Sequence, residues 1–106
     1  MPRYLLGPKV DEDLRLSAAW IKADCPDAGR RFLEAAFESF ELLARFPEAS
    51  PRARLKLARL KDVRFWGLRP PFNRWIVFYQ PVGDSVEIIR VLYGTQNWRE
   101  GPARFF

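Results

Sequence analysis

Side chains able to move protons or hold charge are unevenly supplied in this chain. It has no histidine and one cysteine, Cys25. The commonest base near neutral pH is therefore missing, and a Cys/His zinc centre and an internal disulfide are excluded. Proton transfer would fall to Tyr93, to a carboxylate such as Glu87, or to a lysine. A tyrosine with its ordinary pKa of about 10 needs nearby cations to act as a base. Arg64, Arg74 and Arg90 supply them if their strands lie side by side. Such a set could take up a proton at Tyr93 and hold developing negative charge at the arginines. The structural alternative is that Tyr93 packs at a strand end and Arg90 pairs with an acidic neighbour.

Basic residues are concentrated in one stretch. Residues 51–75 hold Arg52, Arg54, Lys56, Arg59, Lys61, Arg64, Arg69 and Arg74 against Asp62 alone. Unpaired charge of one sign repels itself, so the block favours an anionic partner, either nucleic acid or an acidic protein surface. Trp66, Trp75, Trp98 and Tyr79 could stack bases if exposed, whereas aromatics inside strands more often form core. Asp11, Glu12 and Asp13 read as charges complementing a helix start rather than as a metal site. Cys25, beside a proline, reads as small buried filler. No metal or other cofactor is expected.

These residues need elements to hold them. The 106 residues are 48% hydrophobic and 29% charged, which excludes a disordered chain and suits a single domain over residues 1–106. No run approaches the ~18 apolar residues of a membrane span. The N-terminus does not read as a signal peptide, which makes the cytoplasm the expected compartment. Arg3–Leu6 reads as a short strand. Pro8 suits the opening of a helix, which continues through Val10, Leu14, Ala18 and Ile21 to end near Asp24 and Cys25. Pro26 opens a second helix, with Asp24 or Asp27 as its cap. Phe32, Leu33, Ala36, Phe37, Phe40, Leu43 and Ala44 form its apolar face, and Phe46-Pro47 ends it. Residues 47–62 read as a loop with a helical turn. Strands follow at Val63–Trp66, at Trp75–Tyr79 (a continuous apolar run, hence buried on both faces) and at Val86–Tyr93. A turn over Gln80–Ser85 joins the last two. The expected fold is α+β: an N-terminal strand and an antiparallel two-helix hairpin packed on a three- or four-stranded, mainly antiparallel sheet. Residues 99–106 form a C-terminal tail.

Several segments in this order resemble the RelE/ParE superfamily of type II toxin–antitoxin toxins, also called plasmid stabilisation proteins. They are Asp24–Ala28 and Arg31–Ala35 around the helix break, Phe40–Pro47 closing the second helix, Trp75–Tyr79, and Val86–Gly94. The resemblance spans about residues 3–98. It implies a small growth-arresting toxin held inactive by a cognate antitoxin. RelE-like members cut messenger RNA, usually on the ribosome; ParE-like members poison DNA gyrase by binding. Ile88-Ile89-Arg90-Val91-Leu92-Tyr93-Gly94 is closer to the ParE side. The chain departs from that side with Tyr93, where a histidine is common, and with Thr95-Gln96-Asn97, where Ala-Arg-Asp is common.

The resulting expectation is a ParE-like toxin that inhibits gyrase and forms a hetero-oligomer with its antitoxin. Arg52, Arg54, Lys56, Arg59, Lys61 and Arg69 would face the target or nucleic acid, and Trp98, Phe105 and Phe106 the antitoxin. The tail aromatics have a second option, folding back on the domain. The alternatives are a RelE-like mRNA endonuclease using Arg64, Arg74, Arg90 and Tyr93, and an inactive member that retains antitoxin binding. All of them expect an arginine-lined hollow on the sheet face opposite the helices.

Overall fold

A computed structural model describes residues 3–94, 98 and 101–106. The elements are β1 (Arg3–Leu6), α1 (Val10–Asp24), α2 (Pro26–Arg45), β2 (Arg64–Gly67), β3 (Trp75–Val82) and β4 (Ser85–Tyr93), with 3-10 turns at Ala58–Leu60 and Pro102–Arg104. The four strands lie in the order β1-β4-β3-β2. β1 runs parallel to β4, and the other neighbours are antiparallel.

The α1 helix begins at Val10, with Lys9 as the preceding cap residue, so Pro8 lies outside the helix. Cys25 alone separates the two helices. Its extended backbone (φ −149°, ψ 103°) ends α1 and starts α2. The cause is Pro26, whose ring pushes the residue before it out of helical geometry. Neither Asp24 nor Asp27 caps α2 through its side chain, and Cys25 is exposed rather than buried. Asp27 instead binds Arg30 at 2.7 Å and Arg31 at 3.1 Å. The hydrogen bond from Arg30 holds the Asp27 carboxyl below the usual carboxylate range. This small contribution of an exposed pair is present at neutral pH and is lost as acid protonates the group.

The apolar stripe of α2 packs on one face of the sheet. Phe32, Phe40, Leu43, Val10, Leu14, Val77, Tyr79, Val86, Ile88 and Trp75 make that core. β3 alternates: Trp75, Val77 and Tyr79 point to the helices, while Phe78 and Ile76 point the other way. The β3–β4 turn is tighter than Gln80–Ser85. β3 runs on to Val82 and only Gly83-Asp84 intervene, with Gly83 at φ +58°, as a two-residue hairpin requires. Pro81 is tolerated within β3 because it lies beyond the last residue paired with β2, Tyr79.

The second sheet face carries its own core. Ala53, Leu55, Leu60 and Val63 cover it from the 47–63 segment, with Leu57 half-buried beside them. Trp98, Phe105 and Phe106 close in from the C-terminal end. Phe78 sits between them, its ring 4.8 Å from that of Trp98 and 5.0 Å from that of Phe106. The 47–63 segment is therefore a strap rather than a free loop. It bridges to β2 through Arg52 and Arg64, and Tyr79 anchors its beginning. The Tyr79 hydroxyl donates to the Pro47 carbonyl at 2.8 Å and lies 2.9 Å from Ser50 Oγ, which donates back to it.

Tyr79 is fully buried, so Tyr79→Phe leaves Ser50 and Pro47 without their partner. We expect a loss of about 1–3 kcal/mol in urea unfolding, with faster proteolysis confined to the strap.

Candidate functional site

The four residues expected to form a nucleolytic set fall into three separate settings. Arg64, at the start of β2, donates from Nη1 to the Ser50 carbonyl and so helps hold the strap. Arg90 leaves β4 beside a register shift, at which Phe78 pairs with Arg90 and Tyr79 with Ile88, so that Ile89 has no partner opposite. Its guanidinium grips Asp13 of α1 through Nε (2.7 Å) and Nη2 (2.6 Å), while Nη1 donates to the Phe105 carbonyl. Asp13 Oδ2 also accepts the Val91 backbone N–H at 3.1 Å. β1 pairs with β4 only as far as Ile88, so Asp13 takes over that edge where the strand ends. Asp13 is thus a buried acceptor and does more than complement the helix start.

Arg74 and Tyr93 do meet, at the far end of the sheet. Arg74 Nη1 donates to the Tyr93 hydroxyl at 3.3 Å. That bond raises the Arg74 pKa further above its ordinary value, which changes nothing for a group already charged at any working pH. Tyr93 faces the helix side, in edge contact with Trp75 (4.9 Å) and Trp20 (6.4 Å). Glu87 accepts from Gln80 Nε2 at 3.0 Å. Among the described residues no hollow gathers Arg64, Arg74 and Arg90, because the strap and the tail cover most of the face opposite the helices with apolar side chains and leave a small notch that Arg59 and Arg90 line.

The basic block divides. Arg52, Arg54, Lys56, Arg59 and Lys61 are exposed along the strap, while Ala53, Leu55 and Leu60 between them are buried. Arg69 leaves this group for the helix side, where its Nε binds Glu38 at 2.8 Å. Of the aromatics considered for stacking, Trp75, Tyr79 and Trp98 are buried and Trp66 packs on the helix-side core. Phe105 and Phe106 fold back on the domain, the second of the two options open to them.

One surface feature goes beyond the expected set. Leu16, Ser17, Trp20, Trp75 and Tyr93 line an open hollow of about 400 Å³. Trp20 is 67% exposed and Leu16 54%. Trp75 Nε1 donates to Ser17 Oγ at 3.1 Å, so the walls are almost wholly carbon. The sequence signal was available, since Leu16 and Trp20 are four residues apart on α1 and off its buried stripe. Among the described residues no cluster of potential metal ligands occurs, and no helix is long and apolar enough to cross a membrane.

A family model described as the ParE toxin of type II toxin–antitoxin system, parDE, matches residues 4–98. Thr95, Gln96 and Asn97, where the sequence departs from the ParE pattern, lie outside the described residues. Among solved structures, a chain from the chromosomal ParDE TA system of P. aeruginosa aligns with a TM-score of 0.67 and 14% identity. The alignment covers 86% of this chain and 92% of that one, a likeness of fold. No curated protein gives a significant match.

Asp13 and Arg90 are both largely buried, with side chains 8% and 17% exposed. Removing one partner leaves the other charge uncompensated, so Asp13→Asn or Arg90→Met should each cost about 3–5 kcal/mol in chemical unfolding. The pair Asp13→Leu with Arg90→Met should cost far less than the two single losses added together.

Proposed function

This chain belongs to the ParE toxin family of type II toxin–antitoxin systems, and from that premise we propose that it arrests growth by binding DNA gyrase. It acts in the cytoplasm and is neutralised there by a cognate antitoxin. What favours binding over RNA cleavage is the engagement of Arg90. Its guanidinium neutralises Asp13 and holds the tail carbonyl, so little of its charge is left for a phosphorane. Arg64 is likewise committed to Ser50, and Tyr93 lies on the helix side beside Arg74, Trp20 and Trp75, apart from Arg64 and Arg90.

The exposed strap residues Arg52, Arg54, Lys56, Arg59 and Lys61 turn toward the target complex in this reading. The antitoxin covers apolar surface elsewhere. Trp98 is buried and Phe105 and Phe106 are half-buried, so they offer it little surface as the tail is packed. Leu16 and Trp20 are already exposed and give it a surface that needs no rearrangement.

Induction of the chain in bacteria, together with a supercoiling assay on purified gyrase, tests this reading. We expect growth arrest, lost supercoiling and intact transcripts, with growth restored by co-expression of the antitoxin. Tyr93→Phe and Arg74→Gln should keep arrest within a few fold of the parent. Transcript cleavage with normal supercoiling, abolished by Tyr93→Phe, would replace this reading with the nuclease one.

A further inference from the structure

We propose that the strap is a binding surface for the phosphate backbone of duplex DNA, with Arg54, Arg59 and Lys61 as its principal contacts. The argument begins with how the strap divides its side chains. Ala53, Leu55 and Leu60 turn into the second core, while Arg52, Arg54, Lys56, Arg59 and Lys61 turn to solvent. Burial on one side thus fixes which way the cations point. Arg54 is held at φ +56°, a conformation that a residue other than glycine keeps only where its surroundings fix it. The row is therefore anchored to a core, unlike a floppy basic tail.

Its charge is largely uncompensated. Arg52 has Asp62 at 4.0 Å, whereas the side chains of Arg54, Arg59 and Lys61 have no hydrogen bond or ion pair among the described residues. Arg59 also reaches a notch lined by Lys9 and Arg90, where Glu87 and the half-buried Phe106 form part of the wall.

The choice of partner follows from what the outer face lacks. Protein interfaces are centred on aromatic or apolar anchors, and every strap residue exposed between 52 and 61, apart from Ala58, is arginine or lysine. Single-stranded nucleic acid is held by stacking its bases on aromatic side chains. The exposed row between 52 and 61 holds no aromatic residue, and of the nearby rings Phe78 and Trp98 are buried while Phe106 is half-buried against Phe78. A surface of cations without anchors or stacking platforms suits a duplex backbone, with no reading of sequence. This inference does not rest on gyrase being the target.

The test is fluorescence anisotropy of a labelled random-sequence DNA duplex with the full chain, titrated from low to physiological salt. If four to five phosphates are neutralised, affinity should fall about 150- to 500-fold between 50 and 200 mM salt. The triple variant Arg54→Ser/Arg59→Ser/Lys61→Ser should bind at least tenfold more weakly, with the slope of log K against log salt reduced by about 2 to 3. A control losing the same charge from the helices, Arg15→Ser/Lys22→Ser/Arg45→Ser, should bind like the parent. The charge-preserving variant Arg54→Lys/Arg59→Lys/Lys61→Arg should also bind like the parent, which separates lost contacts from a damaged fold. The proposal is overturned if the duplex does not bind at 50 mM salt, or if both triple serine variants weaken binding equally. Tighter binding of single-stranded RNA or of a polyglutamate peptide than of the duplex also overturns it. Gyrase inhibition, measured separately, distinguishes the two readings. Inhibition without duplex binding sinks only this inference, and duplex binding without inhibition sinks only the gyrase reading.

Discussion

The architecture depends on β3 being apolar on both sides. Trp75, Val77 and Tyr79 need cover on one face of the sheet, and Ile76 and Phe78 need it on the other. Helices α1 and α2 can cover only one face. Exposing Phe78 and its neighbours to water would forfeit the gain from burying them, about 1.5–3 kcal/mol for a side chain of that size. The remaining chain must supply a second layer, and the 47–63 strap and the C-terminal aromatics are what is left. That requirement explains why the strap is ordered, why Phe105 and Phe106 fold back on the domain, and why Arg64, Arg74 and Arg90 share no hollow among the described residues.

The same requirement sorts the charged residues. Where a segment lies flat over a core, its apolar residues go in and its cations go out, so the strap becomes basic on its outer face. Arg90 is different, because it emerges from β4 beside the register shift and beyond the end of β1. There it meets Asp13, which carries the open edge of β4 through the Val91 N–H. One carboxylate and one guanidinium thus join α1, the sheet edge and the tail. Such a knot suits a molecule that works by presenting a fixed surface, since Arg90 has few donors left for a reacting group.

Most of the fold was legible in the sequence, for identifiable reasons. The three- and four-residue spacing of Phe32, Ala36, Phe40 and Leu43 marked α2, and the unbroken Trp75–Tyr79 run marked a strand covered on both sides. Pro26 marked the helix break, although its effect on Cys25 made the cap a matter of backbone geometry rather than of the nearby aspartates. The second layer was hidden because Leu55, Leu57 and Leu60 are separated by cations in a segment without regular period. The Asp13–Arg90 link was hidden because 77 residues separate its partners, and nothing local distinguishes Asp13 from Asp11. The alternation of the strap, cations outward and aliphatics inward, was present in the sequence but became meaningful only once the face beneath it was known to need covering.

The parallel pairing of β1 with β4 has a consequence for the chain as it is made. Residues 3–6 precede α1 and α2 in the chain, yet their partners are residues 85–88. A nascent chain can close its two helices early, but its first strand has no neighbour until the final hairpin leaves the ribosome. The sheet, both its coverings and the Asp13 knot are therefore completed nearly together, once β4 and the residues after it are available. A toxin built this way presents its finished surface only after its first strand has found its last.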